Sequence, residues 1–318
     1  MGGRRSRGAA ALTTAFLVGL TTTACELQDV TVVDVEDVII VEAYALVGVD
    51  TPDPTVRRRL WAFVSRTVDG EGSWDIPPAE VEVVRSDGRR FVLEPVDDEN
   101  CISDGDRARP GVCYDAGAAA SRLRPADQLE LTVRLADGRT LGGRTTIPGD
   151  FRLEQQATPC GVPPNTPFEV RWSTADGASA YVNETRIDGL DRALEDEGIE
   201  APEELFLLGL SLSASDTTIV FPSEFGVFER FDLNQELAVR LQRGLPEETQ
   251  AFVGITATDR NYVNWARGGN FNPSGQVRVP SVHGDGSGVF ASAVLRRFGV
   301  FAGSSEQTNA LPRCAGTF

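Results

Sequence analysis

The chain contains no lysine, and only one histidine and one methionine, in 318 residues. With His283 the lone imidazole, any serine–histidine hydrolysis would have to run through that residue. No Cys-x-x-Cys pair exists, and one histidine cannot complete a zinc-finger ligand set, so the cysteines do not read as a zinc site. After the first 24 residues no stretch approaches ~18 uninterrupted apolar residues, which excludes a candidate transmembrane helix there. A basic stripe and an RNP-type motif are both missing, so nucleic acid is set aside as a partner. Because arginine fills every basic position, the pair Arg4-Arg5 says little about twin-arginine export.

What is present begins with an export signal. Arg4, Arg5 and Arg7 form a positive start, and residues 9–20 give a short apolar run. Twelve helical residues reach only about 18 Å at ~1.5 Å each, too short for a ~30 Å bilayer core. The run ends in Thr22-Thr23-Ala24-Cys25, small residues before a cysteine, as lipoprotein processing requires. Thr22 stands where such signals usually carry leucine. Residues 1–24 are therefore expected to be removed and Cys25 to be lipidated, anchoring the protein to a membrane.

Cysteine count agrees with that expectation. Setting Cys25 aside leaves Cys101, Cys113, Cys160 and Cys314, an even set in an oxidising compartment. Of the three possible pairings, Cys101–Cys113 with Cys160–Cys314 is favoured, since the first closes a short polar loop. Loss of the three signal arginines takes the net charge from −17 to −20, and an acidic surface of that size repels phosphate backbones.

Short alternating segments separated by turns dominate the remainder. Strands are expected at 38–47, 60–68, 81–84, 91–93, 129–135 and 140–147, with turns at Ser86-Asp87-Gly88 and Asp137-Gly138. Such alternation buries one face and leaves the other in water. Beyond Pro148-Gly149-Asp150 a second series is expected at 168–172, 180–183, 216–221, 235–242 and 251–258. The sequence Phe168 to Trp172, a Gly177 turn and a strand opening on Tyr181 matches a fibronectin-type pattern with Trp172 and Tyr181 in the core. Short helices are expected at 190–197, stopped by Gly198, and at 260–267, capped by Asp259 and ended by Gly268-Gly269. The expected fold class is all-β: a tether over 25–37, an Ig-like sandwich over 38–148 and a fibronectin-like sandwich over 149–318.

At this level the chain resembles the uncharacterised lipoprotein family catalogued as domain of unknown function 4249. The resemblance is carried in order by the cysteine and the strand ending Val38-Ile39-Ile40-Val41-Glu42-Ala43. It continues through Leu123-Arg124-Pro125-Ala126-Asp127-Gln128-Leu129, Asp137-Gly138-Arg139 and Thr145-Thr146-Ile147-Pro148. The pair Trp172 and Tyr181, Asn261-Tyr262, Asn270-Phe271, Pro280 and the run from Gly284 to Phe290 complete it. The resemblance implies an outer-membrane or surface lipoprotein, often encoded beside TonB-dependent receptors. It implies no activity.

Three sets of residues invite chemistry. His283-Gly284-Asp285-Gly286-Ser287 brings a histidine, an acid and a hydroxyl together, but adjacent residues cannot easily line up as a triad, and the Gly-x-Ser-x-Gly elbow is absent. A glycine-rich β-turn is the expectation. Asp97-Asp98-Glu99-Asn100 with Asp104 and Asp106 is the densest oxygen cluster, yet its spacing matches no EF-hand loop, and a solvated acidic loop is expected. Trp61, Trp172 and Trp265 are expected as core or interface anchors, with Trp74 the most exposed of the four. The functional expectation is a non-catalytic binding or accessory lipoprotein, without cofactor or metal, working with a TonB-dependent outer-membrane receptor or an extracellular ligand. Its rivals are a carboxylate-dependent hydrolase and a purely structural adhesion protein.

Overall fold

Alternating burial sets the strands. In β1 (Ile39–Val49) the side chains of Ile39, Val41, Ala43, Ala45 and Val47 are buried, and Glu42, Tyr44 and Leu46 between them face outward. The structure, a computed structural model, describes residues 38–49, 58–67, 76–97, 101, 110–154, 159–211, 213–222, 234–267, 278–304 and 310–314.

The first half continues with β2 (Arg58–Arg66), β3 (Ala79–Arg85), β4 (Arg90–Val96), β5 (Gly111–Asp115), β6 (Gln128–Leu135) and β7 (Thr140–Thr146). The hairpins β3–β4 and β6–β7 turn on Gly88 and Gly138, whose positive φ values favour glycine. The second half carries β8 (Cys160–Val162), β9 (Phe168–Arg171), β10 (Ala180–Asp188), β11 (Glu204–Leu210), β12 (Thr218–Phe221), β13 (Thr249–Thr258), β14 (Val282–Gly284) and β15 (Gly286–Ala302). Among its described residues three α-helices interrupt it: α1 (Leu190–Ala193), α2 (Gln235–Leu241) and α3 (Arg260–Arg267).

All these strands except the small β9–β12 pair belong to one 13-stranded sheet. Neighbours run β1-β2-β5-β4-β3-β6-β7-β14-β15, and β15 then lies parallel to β1 from Gly286 to Arg296, closing a nine-strand ring. The far end of β15 pairs antiparallel with β13, which carries β10 and β11 beyond it. The fold is all-β, but the expectation of two separate sandwiches is corrected: β14 and β15 come from the second half and complete the first. The cause is local. Gly286 and Gly288 admit the backbone of β1 so closely that a Cβ at Gly288 would stand 1.9 Å from the Val41 carbonyl oxygen. At ~3.3 Å per residue, the 17 residues of β15 also span about 56 Å, enough to serve both halves. One contiguous core results, running from Ile39 and Leu131 to Trp172 and Val300.

A second correction concerns 235–242, which forms helix α2 and not a strand. Asn234 caps it, its Oδ1 accepting the Glu236 N–H at 3.0 Å. Leu237, Arg240 and Leu241 are buried, the i, i+3, i+4 spacing of a helix face, while Val239 is exposed.

Two disulfides staple the sheet. Cys101 is bonded to Cys113 on β5, and Cys160 on β8 to Cys314. Trp172 and Tyr181 meet edge to face at 5.4 Å in the core, and the Tyr181 hydroxyl accepts the Ala175 N–H at 2.8 Å.

Candidate functional site

Charged residues on the outside of β6 and β7 line two open grooves of about 690 and 710 Å3 on either side of Arg144. Several of their charges are already matched. Arg85 donates to Asp87, Asp127 and the Arg122 carbonyl; Arg144 holds Glu130 at 2.9 Å. Asn261 Nδ2 donates to the carbonyls of Arg144 and Phe290, both at 2.8 Å. The exposed Arg260 also lines the first groove.

The His283-to-Ser287 segment folds as the β14–β15 hairpin. His283 is exposed on the second groove, but Asp285 Oδ2 accepts the Thr140 N–H at 2.8 Å and is committed to the backbone. Gly284 has φ +122°, and a Cβ there would lie 2.3 Å from the Thr140 carbonyl oxygen. These glycines are explained by chain turning and close approach. Cys25, Trp74, Asp98, Glu99, Asn100, Asp104 and Asp106 lie outside the described residues. Among those described, no three metal-ligating side chains cluster.

A more enclosed cavity of about 350 Å3 lies where the ring meets the outlying strands. Its first wall is the outward face of β1, β2 and β15. Tyr44 stands opposite Trp61 across β1–β2 and opposite Ala291 across β1–β15. The two rings form a tilted pair, centroids 5.4 Å apart. Leu46 is paired with Ala293, and the two alanines leave depth that larger side chains would fill. The second wall is built by β15 as it continues: Leu295, Thr256 and Val182 form one row across β15, β13 and β10. Glu184 belongs to the next row, and Tyr262 of α3 also lines the space.

Helix α3 is fixed by buried polar contacts. Asp259 Oδ1 accepts the Tyr262 N–H at 2.8 Å, and Oδ2 accepts the Thr145 hydroxyl. Thr145 and Ser292 share a 2.7 Å hydrogen bond beside it. Trp265 Nε1 donates to Glu42 Oε1 at 3.2 Å, under the guanidinium of Arg278. Trp265 is thus an interface anchor, Trp172 a core residue, and Trp61 a cavity wall.

Electrostatics single out Glu184. In its row Gly254 separates it from Arg297, and without a side chain there Arg297 Nη2 comes within 3.8 Å of Glu184 Oε2. Some 46 % of the Glu184 side chain remains open, yet protein crowds it on most sides, as on a concave wall. Desolvation raises its carboxyl above the ordinary value, and the Arg297 charge opposes the rise. Tyr262 is pushed up to about 12, by burial first and then by the Glu184 charge. The Thr256 hydroxyl is buried without a hydrogen-bond partner among the described residues. Glu184 is the one carboxylate among the described lining residues, whereas hydrolysis of a glycoside commonly needs two facing one bond. The arrangement suits holding a molecule.

Sequence reasoning missed Glu184, which is one of 47 acids. Tyr44 and Trp61 left a readable signal, being aromatic residues in the outward register of strands whose inward residues are aliphatic.

No family model and no curated protein matches the chain. Among solved structures it is similar to a DUF4785 family protein from Legionella pneumophila, with 13 % identity over 68 % of this chain and 51 % of that one, TM-score 0.22. The chain therefore spans about half of that protein's length. It is also similar to fibronectin(III)-like modules of Clostridium thermocellum CbhA, with 11 % identity over 84 % and 95 % of the two chains, TM-score 0.22. A third similarity is to the two tandem V-type regions of VCBP3, a v-region-containing chitin binding protein, with 9 % identity over 80 % and 99 %, TM-score 0.18.

Proposed function

We propose that this protein is an exported lipoprotein of the outer membrane, anchored through Cys25, whose β-body holds a small ligand beside a TonB-dependent receptor. The carrying observation is the 350 Å3 cavity, with aromatic rings on one wall and a crowded carboxyl on the other. Ligand sites share this character, mostly apolar with a few placed polar groups. Two disulfides suit an oxidising compartment, and the motif order of the lipoprotein family supports the anchor. Within the β-body, the packed Trp172 and Tyr181 pair supports a fibronectin-like reading of the strands after Pro148.

Two experiments test the reading. Replacing Cys25 by serine should move the protein from the membrane to the soluble fraction, because acyl chains bury ~0.8 kcal/mol per CH₂; retention of that variant would reveal another anchor. A fragment set of neutral, cationic and aromatic small molecules should bind the parent protein, and Ala293→Leu, which fills the cavity, should abolish binding. Fragments that ignore this change, or no binding at all, would remove the cavity from the function.

A further inference from the structure

We infer that the cavity receives an aliphatic ammonium: a short branched alkyl chain packs among its apolar walls while the charged nitrogen is held by Glu184. This rests on the binding reading above and narrows it to one ligand chemistry.

The walls select the body of the ligand. Leu46, Val182, Ala291, Ala293 and Leu295 give the space an aliphatic lining. The two aromatic residues add apolar surface but no platform for a planar ring. Tyr44 and Trp61 pack on each other with centroids 5.4 Å apart, and the Arg59 guanidinium lies over Trp61, 4.7 Å from its ring centroid. Two hydroxyls of the lining are also closed to a ligand: the Thr256 oxygen is enclosed by protein, and the Ser292 hydroxyl is hydrogen-bonded to Thr145. Ala291 and Ala293 stand opposite Tyr44 and Leu46 across β1–β15 and leave depth for a chain that branches. A volume of about 350 Å3 lies at the low end of ligand pockets, ~300–1,000 Å3, and sets a small molecule.

Glu184 selects the head. It is the one charged side chain among the described lining residues, and its ion pair with Arg297, across Gly254, spans 3.8 Å. That is beyond the ~3.2 Å reach of an N–H···O hydrogen bond, so the pair leaves acceptor positions of the carboxylate open. A molecule filling the cavity strips more water from this crowded group. A cationic donor offsets that loss, and a neutral one does so only in part. The Tyr262 phenol beside it, pushed up to about 12, stays neutral and adds no second negative charge. An anion would meet Glu184 with no cation among the described lining residues to receive it. The net charge of −17 further draws cations and repels anions. Because the chain has no lysine, neither it nor a second copy can supply an alkylammonium side chain. The amine therefore comes from outside, as a free molecule or as a lysine side chain of another protein.

The test is calorimetric titration of the disulfide-bonded full chain at low ionic strength. The probes are isopentylamine and Nα-acetyl-lysine methylamide, with isopentanol, isovalerate and indole as rivals. Both amines carry the same head, one as a free molecule and one as a protein would present it, and the tighter of the two identifies the source. Amine binding is expected, about tenfold or more tighter than that of the alcohol. Glu184→Gln should weaken the amine by about tenfold and leave the alcohol unchanged. Glu184→Asp keeps the charge, so it should retain part of the preference, and near-ultraviolet dichroism checks that each variant is folded. Three results overturn the ammonium: no amine binding at roughly 10 mM, ten times a 1 mM Kd; amine binding that survives Glu184→Gln undiminished in a folded protein; or a rival bound as tightly as the amines. If a rival binds and Ala293→Leu abolishes it, the cavity remains a binding site and only its ligand class is wrong. If no probe of any class binds, both readings fail.

Discussion

Asp259 joins three elements at one residue: its carboxyl caps α3 and accepts the Thr145 hydroxyl of β7, and its backbone N–H donates to the Ser292 carbonyl of β15. Burial raises its carboxyl above the ordinary value of 3.8, with hydrogen bonds from Thr145, Tyr262 and Ser292 opposing the rise. A raised acid binds its proton more tightly in the folded state than in the unfolded one. Below about 3.8 both states are protonated and no penalty applies; stability then falls as pH rises through the window up to the raised value. Asp259→Asn keeps an acceptor for the cap and cannot ionise. The stability of the asparagine variant minus that of the parent should therefore grow from about pH 4 upward, measured by urea unfolding. Parallel pH profiles would show that the carboxyl is not held in this way. Asp259→Ala should cost about 2–3 kcal/mol, the cap being worth ~1 kcal/mol and the orphaned hydroxyls the remainder.

Elements were legible where one face is wet. β1, β3 and β6 alternate cleanly between buried and open residues, and α3 begins after the capping aspartate and covers the expected residues. β15 offers no period-2 signal in the sequence, because its residues from Gly288 to Leu295 are buried without a break. β11, Glu-Leu-Phe-Leu-Leu-Gly-Leu, hides for a related reason, being apolar on both of its faces. α2 was misread because Leu237, Val239 and Leu241 alternate; the Asn234 cap and the buried Arg240 carried the better signal. The cavity was half legible, through the outward register of Tyr44 and Trp61. Its other wall depends on which late strand lies beside β15, and no local pattern encodes that. Gly286 and Gly288 tie these observations to an experiment. Gly288→Ala would drive a Cβ into the Val41 carbonyl, where backbone and not a movable side chain stands in the way. A loss above about 4 kcal/mol, or failure to fold, is expected, whereas Gly88→Ala at an open turn should cost only about 1 kcal/mol. Similar losses at the two sites, by thermal unfolding, would show that β1 and β15 are not so closely packed.

At the scale of the whole molecule, the parallel pairing of Ile39 with Gly286 joins residues 247 positions apart, and the ring cannot close until both have been made. Residues 36–318 form one compact unit, and the Cys160–Cys314 bond further ties the start of the later strands to the end of the chain. Closing a loop of that length removes entropy worth about 5 kcal/mol from the unfolded chain in the simplest model. Two tandem sandwiches would behave differently, each with its own core and its own unfolding transition. Here a fragment of residues 38–148 would lose β14 and β15, leaving β1 and β7 as open edges that invite aggregation. A fragment of residues 149–318 would leave one side of β15 unpaired from Gly286 to Arg296 and expose Phe290, which is fully buried in the intact protein. Denaturant unfolding should therefore give a single transition, coincident by far-ultraviolet dichroism and by tryptophan fluorescence, since Trp61 and Trp172 report from the two halves. Neither fragment should show native near-ultraviolet dichroism alone, and mixing the two should restore part of it. Two separated transitions, or a fragment of residues 38–148 that folds to a well-ordered monomer, would mean that the halves are independent and that β15 merely rests against β1.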